Sequence, residues 1–515
     1  MLCWPAVLLA LTAAVAPAQP VPKSPYLRPG TPEVGGIHDL CLIYHGMQTR
    51  VPWTAENLLP YVAYVDEQGR PRDRLFDSFL FIEFSTDAGA WLHHYSEEGP
   101  HASAEDWAWL ADAWFREETG LIGLERAVAR VGEALGDPGH RVSVVISLPV
   151  PASQERAFGP LPGRERALDF ASEIDRQAAL TWYIDRVVQE WESRRHEHLD
   201  LAGFYWLAET IPTADEALVM WTADRLRGLG LRLYWIPYFG GQGVSRWREL
   251  GIDACMLQPN HFFMEDPNPQ RLLAAAKIAR RAGCGIEIEF DARAATSEDF
   301  RTRFYAYLDA GVKYGWMNDA LLCYYEGGGA VKAFAETPGT GRELYDALYR
   351  FVKGAYEPSG RVDLETLTLV EHDNTGNLAL AAAGAVIHGG IRLPEHPDLA
   401  PEKIIDGDVD NYGGMDGFGY INVGDSFTIE LPQAATVART QTMLWDLDGR
   451  EFGYRIDTSV DGETWEPAVD KSEGDWTGRQ VDRFAPREAR YVRFTGLYNS
   501  VNALVQVVEF EVYGD

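Results

Sequence analysis

The sequence predicts a (β/α)8 barrel followed by a smaller all-β module, and three observations carry this prediction. Eight strand-like apolar segments alternate with longer amphipathic stretches up to about residue 351, a pattern typical of a parallel α/β fold. No segment is followed by the glycine-rich phosphate fingerprint, which favours a closed barrel over an open doubly wound sheet. From about Arg361 the long helical patterns stop, and short strands with turns such as SVDGETW take over, as in a β-sandwich.

The eight candidate strands are separated by stretches with helical periodicity, such as AEDWAWLADAWFREE and NPQRLLAAAKIARRAG. In order they are DLCLIYH (39–45), DSFLFIEF (77–84), RVSVVISLP (141–149), LAGFYWLAE (201–209), LRLYWIPY (231–238), DACMLQP (253–259), GIEIEF (285–290) and a last one within VKYGWMNDALLCYY (312–325). A closing helix and a linker follow them. We therefore predict the barrel over residues 35–350 and the all-β module over residues 361–515.

The overall charge limits the classes of partner. The 515 residues include 77 acidic and 46 basic side chains, which gives a formal net charge of −31. Such a field repels nucleic acid and anionic membrane surfaces. We expect no nucleic-acid partner and a neutral substrate, while the oligomeric state stays open.

The N-terminus MLCWPAVLLALTAAVAPAQP resembles a secretory signal peptide over residues 1–18, with a short apolar run and an Ala-Pro-Ala pattern before Gln19. It lacks a basic n-region, and a buried N-terminal helix is the alternative. No other stretch approaches the ~20 apolar residues of a membrane span. The expected location is secreted or periplasmic.

Four cysteines remain beyond the leader: Cys41, Cys255, Cys284 and Cys323. Each lies in a strand-like segment and none forms a CxxC pair, so a zinc site is not expected. Export would permit disulfides, but buried free thiols fit these positions better.

Acidic residues line one face of the seventh strand. In GIEIEFDAR, Glu287, Glu289 and Asp291 occupy alternate positions, so they share one face of a strand that otherwise reads as core. Burying a carboxylate without a partner is costly. Either arginine or lysine partners satisfy these acids, or the face ends in a polar active site.

A second acid, Glu209, ends the fourth strand, while Glu289 lies near the end of the seventh. In a (β/α)8 barrel the catalytic groups sit at the carboxyl ends of the strands. A pair of carboxyl groups on opposed strands can cleave a glycosidic bond: one protonates the leaving oxygen, and the other attacks the anomeric carbon or activates water. Glu209 and Glu289 are therefore the candidate catalytic pair, without a catalytic cofactor.

The arrangement resembles the retaining (β/α)8 glycosidases, which carry the acid/base on strand four and the nucleophile on strand seven. The resemblance implies that Glu209 in FYWLAET is the acid/base and Glu289 in IEIEFDA is the nucleophile. It also implies carboxyl groups about 5–5.5 Å apart. We expect a raised pKa at Glu209, because Tyr205, Trp206 and the negative charge of Glu289 all disfavour its ionised form. Ala208 stands where the common pattern has an asparagine, so the group that holds the sugar 2-hydroxyl is undefined.

Aromatic and polar residues near the strand ends are candidate sugar-binding groups, since sugar rings stack on aromatic faces and amides bind hydroxyls. Each of these residues has an alternative role in the core or in capping a loop. The predicted set comprises Glu287, which either binds substrate or orients Glu289, together with His45, Tyr205, Trp206, Trp235, Tyr238, Gln258, Asn260, His261, Trp316 and Asn318. The last two are placed after strand eight in this prediction.

Several fragments, IYHG, LPYVAYVDEQGRPRDRLFDSFLFIEF, GFYWLAE and LQPNHFF, resemble the bacterial family catalogued as domain of unknown function 4855. The resemblance covers most of residues 35–350. It implies a secreted barrel of the kind found among carbohydrate-processing proteins, and it supplies no settled chemistry.

The C-terminal fragments IIDGDVDNYG, YRIDTSVDGETWEPA, REARYVRFTG and VVEFEVYGD resemble the discoidin or coagulation factor 5/8 type C module, a galactose-binding-like jelly roll. The resemblance implies a structural calcium near Asp406, Asp408 and Glu509, whose oxygens suit that ion; an Asx turn without metal is the alternative. It also implies sugar binding through exposed aromatic residues, for which Tyr412, Phe418, Trp445 and Trp476 are candidates, or a packing role alone.

Together these observations favour an exported glycoside hydrolase that cleaves an oligo- or polysaccharide by a retaining two-carboxylate mechanism and carries a carbohydrate-binding module. The alternative is a non-catalytic glycan-binding protein with a degenerate barrel. A metal-dependent barrel hydrolase is disfavoured because strand one has IHDL and no HxH ligand pair. The sugar, the linkage, and endo or exo action stay open.

Overall fold

The structure, a computed structural model, describes residues 24–93, 99–265, 267–369, 372–394, 399–409, 417–446 and 449–514. The predicted signal peptide at residues 1–18 and the candidate Tyr412 lie outside this set.

The N-terminal part is a closed barrel of eight parallel strands. The first to eighth barrel strands are Asp39–Tyr44, Ser78–Ile82, Val142–Leu148, Leu199–Trp206, Arg232–Trp235, Ala254–Leu257, Gly285–Glu289 and Leu322–Tyr325. The first strand pairs with both the second and the eighth, which closes the sheet. Strands such as VSVVISL are apolar on both faces because one face fills the barrel and the other packs against helices. The predicted fold class is confirmed.

Helices surround the barrel and connect its strands. They are Ala55–Val62, Ala104–Ala113, Gly120–Leu135, Glu173–Arg194, Thr213–Arg227, Gln270–Ala282, Arg293–Thr296, Glu298–Tyr314, Trp316–Asp319, Ala330–Glu336 and Thr340–Val352, with a 3-10 turn at Val244–Arg246. Several begin at residues suited to cap them: Ser103 forms a capping box with Asp106, which satisfies two backbone N–H groups of the first turn. Two short hairpins, Ala63–Val65 with Pro71–Arg74 and Gly159–Pro160 with Ala167–Leu168, lie outside the barrel sheet.

The C-terminal part is an antiparallel all-β sandwich with its own core. Its strands are Val386–Gly389, Gly419–Asn422, Ser426–Leu444, Phe452–Ser459, Glu466–Trp476, Arg479–Asn499 and Leu504–Tyr513, with 3-10 turns at Ala381–Ala383 and Pro401–Ile405. Register shifts mark where the two longest strands bend, which allows one strand to serve both layers. Phe427, Phe494 and Phe510 stack in its centre.

The linker between the two parts is held by helix Glu298–Tyr314. Asp309 accepts hydrogen bonds from the Tyr356 hydroxyl at 2.7 Å and from the Ser359 backbone N–H at 2.8 Å. The Tyr314 hydroxyl donates to the Leu367 carbonyl at 3.1 Å. These contacts fix the linker along the outside of the barrel.

The four cysteines of the described residues are free and buried, as predicted. The Sγ atoms of Cys255 and Cys284 lie 3.4 Å apart on neighbouring strands. Burial raises the pKa of the Cys255 thiol well above its usual value. These thiols act as small apolar side chains of the barrel core.

The close packing of the fourth and fifth strands gives a first test. A Cβ on Gly203 would lie 2.1 Å from the Arg232 carbonyl oxygen of the neighbouring strand, so Gly203→Ala must push the strands apart. We expect it to lower the free energy of unfolding by roughly 1–3 kcal/mol, measured by urea denaturation. Gly139→Ala is the matched control, because its Cβ would meet no atom nearer than 4.0 Å. Equal stability of the two variants would contradict this account of strand packing.

Candidate active site

A cavity of about 270 Å³ opens at the carboxyl ends of the barrel strands. Residues from at least six strands or the loops that follow them reach it, as the geometry of a closed barrel requires. Its lining residues are Leu42, Tyr44, Ile82, Phe84, Tyr205, Glu209, Ile236, Gln258, Asn260, Phe263, Glu287, Glu289 and Tyr325.

Three of the lining side chains are glutamates. Glu287 and Glu289 lie on the seventh strand, where alternation turns both toward the cavity, and they are only 2% and 3% exposed. Glu209 follows the fourth strand, and its backbone carbonyl accepts the Tyr238 N–H at 3.0 Å. The face that carries acids in the sequence is therefore the face that ends in the cavity.

Glu289 is the most heavily hydrogen-bonded of the three. The Tyr307 hydroxyl, from helix Glu298–Tyr314, donates to its Oε2 atom. The His261 backbone N–H donates in turn to the Tyr307 hydroxyl at 3.1 Å, and the backbone N–H groups of Asn260 and His261 both act to lower the pKa of Glu289. Asn260 has φ of 59°, a left-handed conformation that asparagine tolerates better than most residues, and it turns the chain beside the cavity.

The other two glutamates have fewer donors. The Gln258 side chain donates to Glu209 and also to the Ile236 carbonyl at 3.0 Å. Glu287 has the Cys323 thiol, 3.8 Å from its Oε1 atom, and a thiol is a weak donor.

Burial raises the pKa of all three carboxyl groups. It raises the pKa of Glu289 to about 7, against the hydrogen bonds from Tyr307, Asn260 and His261. The pKa of Glu287 is raised well above its usual value by burial and by the negative charges of Glu289 and Glu209. Burial raises the pKa of Glu209 as well, and Gln258 opposes the rise. A rise was expected at Glu209, but it is shared by the whole group.

The structure brings six predicted residues together at the cavity: the pair Glu209 and Glu289, together with Glu287, Tyr205, Gln258 and Asn260. The predicted roles and the predicted separation stay predictions.

Seven predicted sugar-binding residues do not line the cavity, and five of them lie on or just after the first, fourth, fifth and sixth barrel strands. His45 bonds the Ala113 carbonyl at 3.0 Å, and burial lowers its pKa to about 4. Trp206 alternates with Tyr205 along the strand, so its fully buried ring faces the helices. Trp235 donates its indole N–H to the Ala208 carbonyl at 2.7 Å. The His261 ring packs against Tyr307, with ring centres 5.9 Å apart. Tyr238 is exposed on the loop after the fifth strand.

The placement of Trp316 and Asn318 after the eighth strand is wrong. Helix Trp316–Asp319 ends before that strand begins at Leu322. Both residues therefore lie at the amino ends of the strands, on the opposite side of the barrel from the cavity. Trp316 is fully buried there and packs against Tyr314.

Sequence reasoning missed four residues of this site. Tyr44, Phe84 and Tyr325 form an aromatic wall, with the Tyr44 and Tyr325 ring centres 5.7 Å apart and those of Tyr44 and Phe84 5.9 Å apart. Tyr44 and Tyr325 end the first and eighth strands, so strand alternation was a usable signal. Tyr307 had none, because it reaches Glu289 from a helix 18 positions further along the chain.

The acids predicted to bind calcium converge in the sandwich, but a guanidinium group lies among them. Glu509 accepts the backbone N–H groups of Gly407 and Asp408 at 3.1 and 3.3 Å. Its Oε1 atom is buried without a hydrogen-bond partner, which suits a cation. Arg281, at the end of a barrel helix, pairs with Asp408 and lies 3.6 Å from Asp406. Within the described residues no group of three His, Cys, Asp or Glu side chains is arranged to hold a metal ion.

Of the sandwich aromatics, Trp445 packs beside Phe418 with ring centres 6.0 Å apart, and the Arg450 guanidinium lies 4.6 Å from its ring. Trp476 is 37% exposed and carries the Lys471 ammonium 4.1 Å from its ring. The two candidate sugar contacts, Trp445 and Trp476, lie on different strands and loops of the sandwich.

Comparison with known protein families identifies both parts. Residues 39–350 match the family described as domain of unknown function (DUF4855), and the chain belongs to that family. Residues 393–510 match the F5/8 type C domain.

Among curated proteins, the chain is 32% identical over 112 residues to BTB/POZ domain-containing protein 9 of Homo sapiens, which covers 21% of this chain and 18% of that protein. The Drosophila melanogaster protein of the same name is 30% identical over 114 residues, covering 21% and 16%. The chain thus spans less than a fifth of the length of these relatives.

Among solved structures, the chain is similar to chitosan-binding module 1 from a chitosanase/glucanase of Paenibacillus sp. IK-5, with 25% identity, 27% of this chain and 98% of that chain covered, and a TM-score of 0.22. It is also similar to CBM32-1 from a family 31 glycoside hydrolase of Clostridium perfringens, with 19% identity, 25% and 94% covered, and a TM-score of 0.21. Both matches span about a quarter of this chain.

No helix in the described part of the chain has the length and apolar character needed to cross a bilayer.

The raised pKa of Glu289 predicts a pH-dependent stability. In the folded state this group keeps its proton up to a pKa of about 7, whereas the unfolded chain loses it near the ordinary pKa of 4.5. The contribution to stability is therefore full below pH 4.5 and is lost as the pH rises to 7. Glu289→Gln mimics the protonated form, so between these pH values its free energy of unfolding should gain up to about 3 kcal/mol on that of the wild type.

Unfolding by urea at a series of pH values measures this difference. Glu249→Gln, at an exposed position, is the matched control and should follow the wild type throughout. A difference between Glu289→Gln and the wild type that does not change with pH would show that Glu289 is already ionised in the folded protein.

Proposed function

We propose that this chain, a member of the DUF4855 family, is a glycoside hydrolase that cleaves an oligo- or polysaccharide by a retaining two-carboxylate mechanism. The observation that carries the proposal is the shared position of Glu209 and Glu289 in one cavity at the carboxyl ends of a closed (β/α)8 barrel. Catalytic groups of this fold occupy that end of the barrel. A pair of carboxyl groups is the set that most glycosidases use to cleave the glycosidic bond.

Glu209 acts as acid/base. It must hold a proton to protonate the leaving oxygen, and burial raises its pKa in that direction. The backbone at Glu209 is held by the end of the fifth strand and by the loop that follows it. The Tyr238 N–H donates to the Glu209 carbonyl, and the Trp235 indole N–H donates to the Ala208 carbonyl. Trp235 thus supports the site through its hydrogen bond to the backbone beside Glu209, rather than by stacking on a sugar.

Glu289 acts as nucleophile. The hydroxyl of Tyr307 donates to its carboxylate, and the His261 N–H holds that hydroxyl at 3.1 Å. Tyr307 and the nearby N–H groups oppose the burial that raises the pKa of Glu289 to about 7, and they favour the ionised form that a nucleophile requires. Retention needs the two carboxyl groups about 5–5.5 Å apart, whereas inversion leaves roughly 6.5–9.5 Å for a water.

The aromatic wall supports a carbohydrate ligand. This wall of Tyr44, Phe84 and Tyr325 lines the cavity beside the acids, and Phe263 packs against Tyr325 to extend it. Gln258 and Asn260 supply amides for hydroxyl groups. We extend the same ligand class to the C-terminal module, where Trp445 and Trp476 are the candidate contacts. Export of the chain, by the leader at residues 1–18, completes the proposal and suits an extracellular glycan.

A non-catalytic glycan-binding protein with a degenerate barrel is the alternative. It keeps the cavity and its aromatic wall and assigns no chemistry to the acids. It assigns no reaction to Glu209 and Glu289, although both line the cavity at the end of the barrel where catalytic groups of this fold occur, and this counts against it.

A glycan panel tests the catalytic proposal, with released sugars measured for the wild type, Glu209→Gln and Glu289→Gln. Glu289→Gln should abolish turnover and leave sugar binding largely intact. Glu209→Gln should lower kcat/KM by about 10²–10⁴ on natural glycans and far less on aryl glycosides, whose leaving groups need no proton.

Glu249→Gln is again the control and should keep full activity. NMR of the first-formed product reports the anomeric configuration, and retention is the expected result. Binding of a glycan without turnover by the wild type, across the whole panel, would favour the non-catalytic alternative.

We further propose a structural calcium at Asp406, Asp408 and Glu509, in competition with Arg281. A ligand that binds only the folded state raises its stability by mass action. Calcium should therefore raise the Tm of the sandwich, and more so in Arg281→Ala, where the competing guanidinium is gone. Differential scanning calorimetry with calcium and with chelator measures this. A Tm unchanged by calcium in both proteins would mean that the acids only shape the turn.

A further inference from the structure

The cavity has an unusual balance of charge. Of the described residues that line it, three are glutamates and none is basic. A retaining mechanism uses two carboxyl groups. The third, Glu287, therefore has no assigned part in the reaction.

Glu287 also lacks strong hydrogen bonds. It is 2% exposed and lines the cavity. Among the described residues its hydrogen-bond donor is the Cys323 thiol, 3.8 Å away, whereas Glu289 accepts the Tyr307 hydroxyl. A buried carboxyl group with one weak donor is costly, which indicates that its partner comes from outside the chain.

The arginines around the cavity are engaged elsewhere. Arg50 pairs with Glu83 at 2.6 Å, and Arg293 with Asp291 at 2.6 Å. Arg271, whose charge reaches Glu289, donates to the Pro259 carbonyl at 2.8 Å and lies 3.5 Å from the centre of the Phe239 ring. None of the three lines the cavity.

We propose that the sugar bound beside Glu287 carries a protonated amino group, so that the substrate class is a glycan of unacetylated amino sugars. An ammonium group supplies three N–H donors and a positive charge, which together match the three carboxyl groups. A uronic acid would add a carboxylate to a cavity that already holds three carboxyl groups, so we expect it not to bind. The cleavage of this glycan rests on the proposed function, but its binding does not.

Neutral glycans present the competing case. Burial and the charges of Glu289 and Glu209 raise the pKa of Glu287, and a protonated Glu287 would donate a hydrogen bond to a sugar hydroxyl. The two cases differ in a measurable way. A charged Glu287 prefers an amine to a hydroxyl of the same size, and a neutral one does not.

Binding is measured first, in a background that cannot hydrolyse the ligand. Isothermal titration calorimetry with Glu289→Gln compares oligosaccharides of equal length made of glucosamine, N-acetylglucosamine, glucose and glucuronic acid. The glucosamine form should bind at least about tenfold more tightly than the glucose form, and the glucuronic acid form should not bind. Added salt should weaken only the binding of the glucosamine form.

The second variant assigns the preference to the cavity rather than to the sandwich. Adding Glu287→Gln, which removes the charge and keeps the shape, should abolish the preference for glucosamine. Adding Glu287→Asp should keep it. If Glu287→Gln fails to fold by circular dichroism, the salt dependence and the Glu287→Asp result still decide the matter.

Equal binding of the glucosamine and glucose forms, or a preference that survives Glu287→Gln, would overturn the assignment of an amino sugar. Turnover of neutral glycans alone would do the same and leave the glycosidase proposal standing. A preference for glucosamine that depends on Glu287, in a wild type that turns over no glycan, would support the amino-sugar site and overturn the proposed function.

Discussion

Closure of the eight-stranded sheet is the constraint on which the rest of the structure depends. Because the first strand pairs with both the second and the eighth, the carboxyl ends of all eight strands form one ring. In an open sheet Glu209 and Glu289 would lie three strands apart along a line. In the ring they line a single cavity, which lies above the filled interior of the barrel.

The barrel contains three ways of burying an acid, and their differences separate structure from function. Glu83 is neutralised by Arg50 in a two-point ion pair. Glu326 is fully buried and accepts the Tyr61 hydroxyl and the N–H groups of Gly329 and Val331, and burial raises its pKa to about 7. Both acids are satisfied within the protein. Glu287 differs from both, because its hydrogen-bond donor is a weak one, the Cys323 thiol. A buried carboxyl group with so weak a partner is typical of a ligand-binding site.

Sequence reasoning succeeded where local periodicity carries the information. Alternating apolar runs gave all eight strands, and counting them placed Glu209, Glu289, Tyr205 and Gln258 at one rim. It failed where neighbouring side chains point in different directions. His45, just after the first strand, bonds the Ala113 carbonyl, whereas its neighbour Tyr44 faces the cavity. Asn318 was misplaced because the start of the eighth strand was not resolved within an apolar segment. Tyr307 was out of reach, since helix packing alone brings it to Glu289.

The buried thiols of the barrel have a consequence for how the protein is made. No disulfide joins any of the described cysteines, and the Cys255 and Cys284 pair lies inside the core, away from oxidants. Within the described residues the fold therefore draws no stability from a disulfide, so its formation does not require an oxidising compartment. Synthesis in a reducing cytosol and residence in an oxidising medium would yield the same folded chain, and thiol reagents would find these groups only after unfolding.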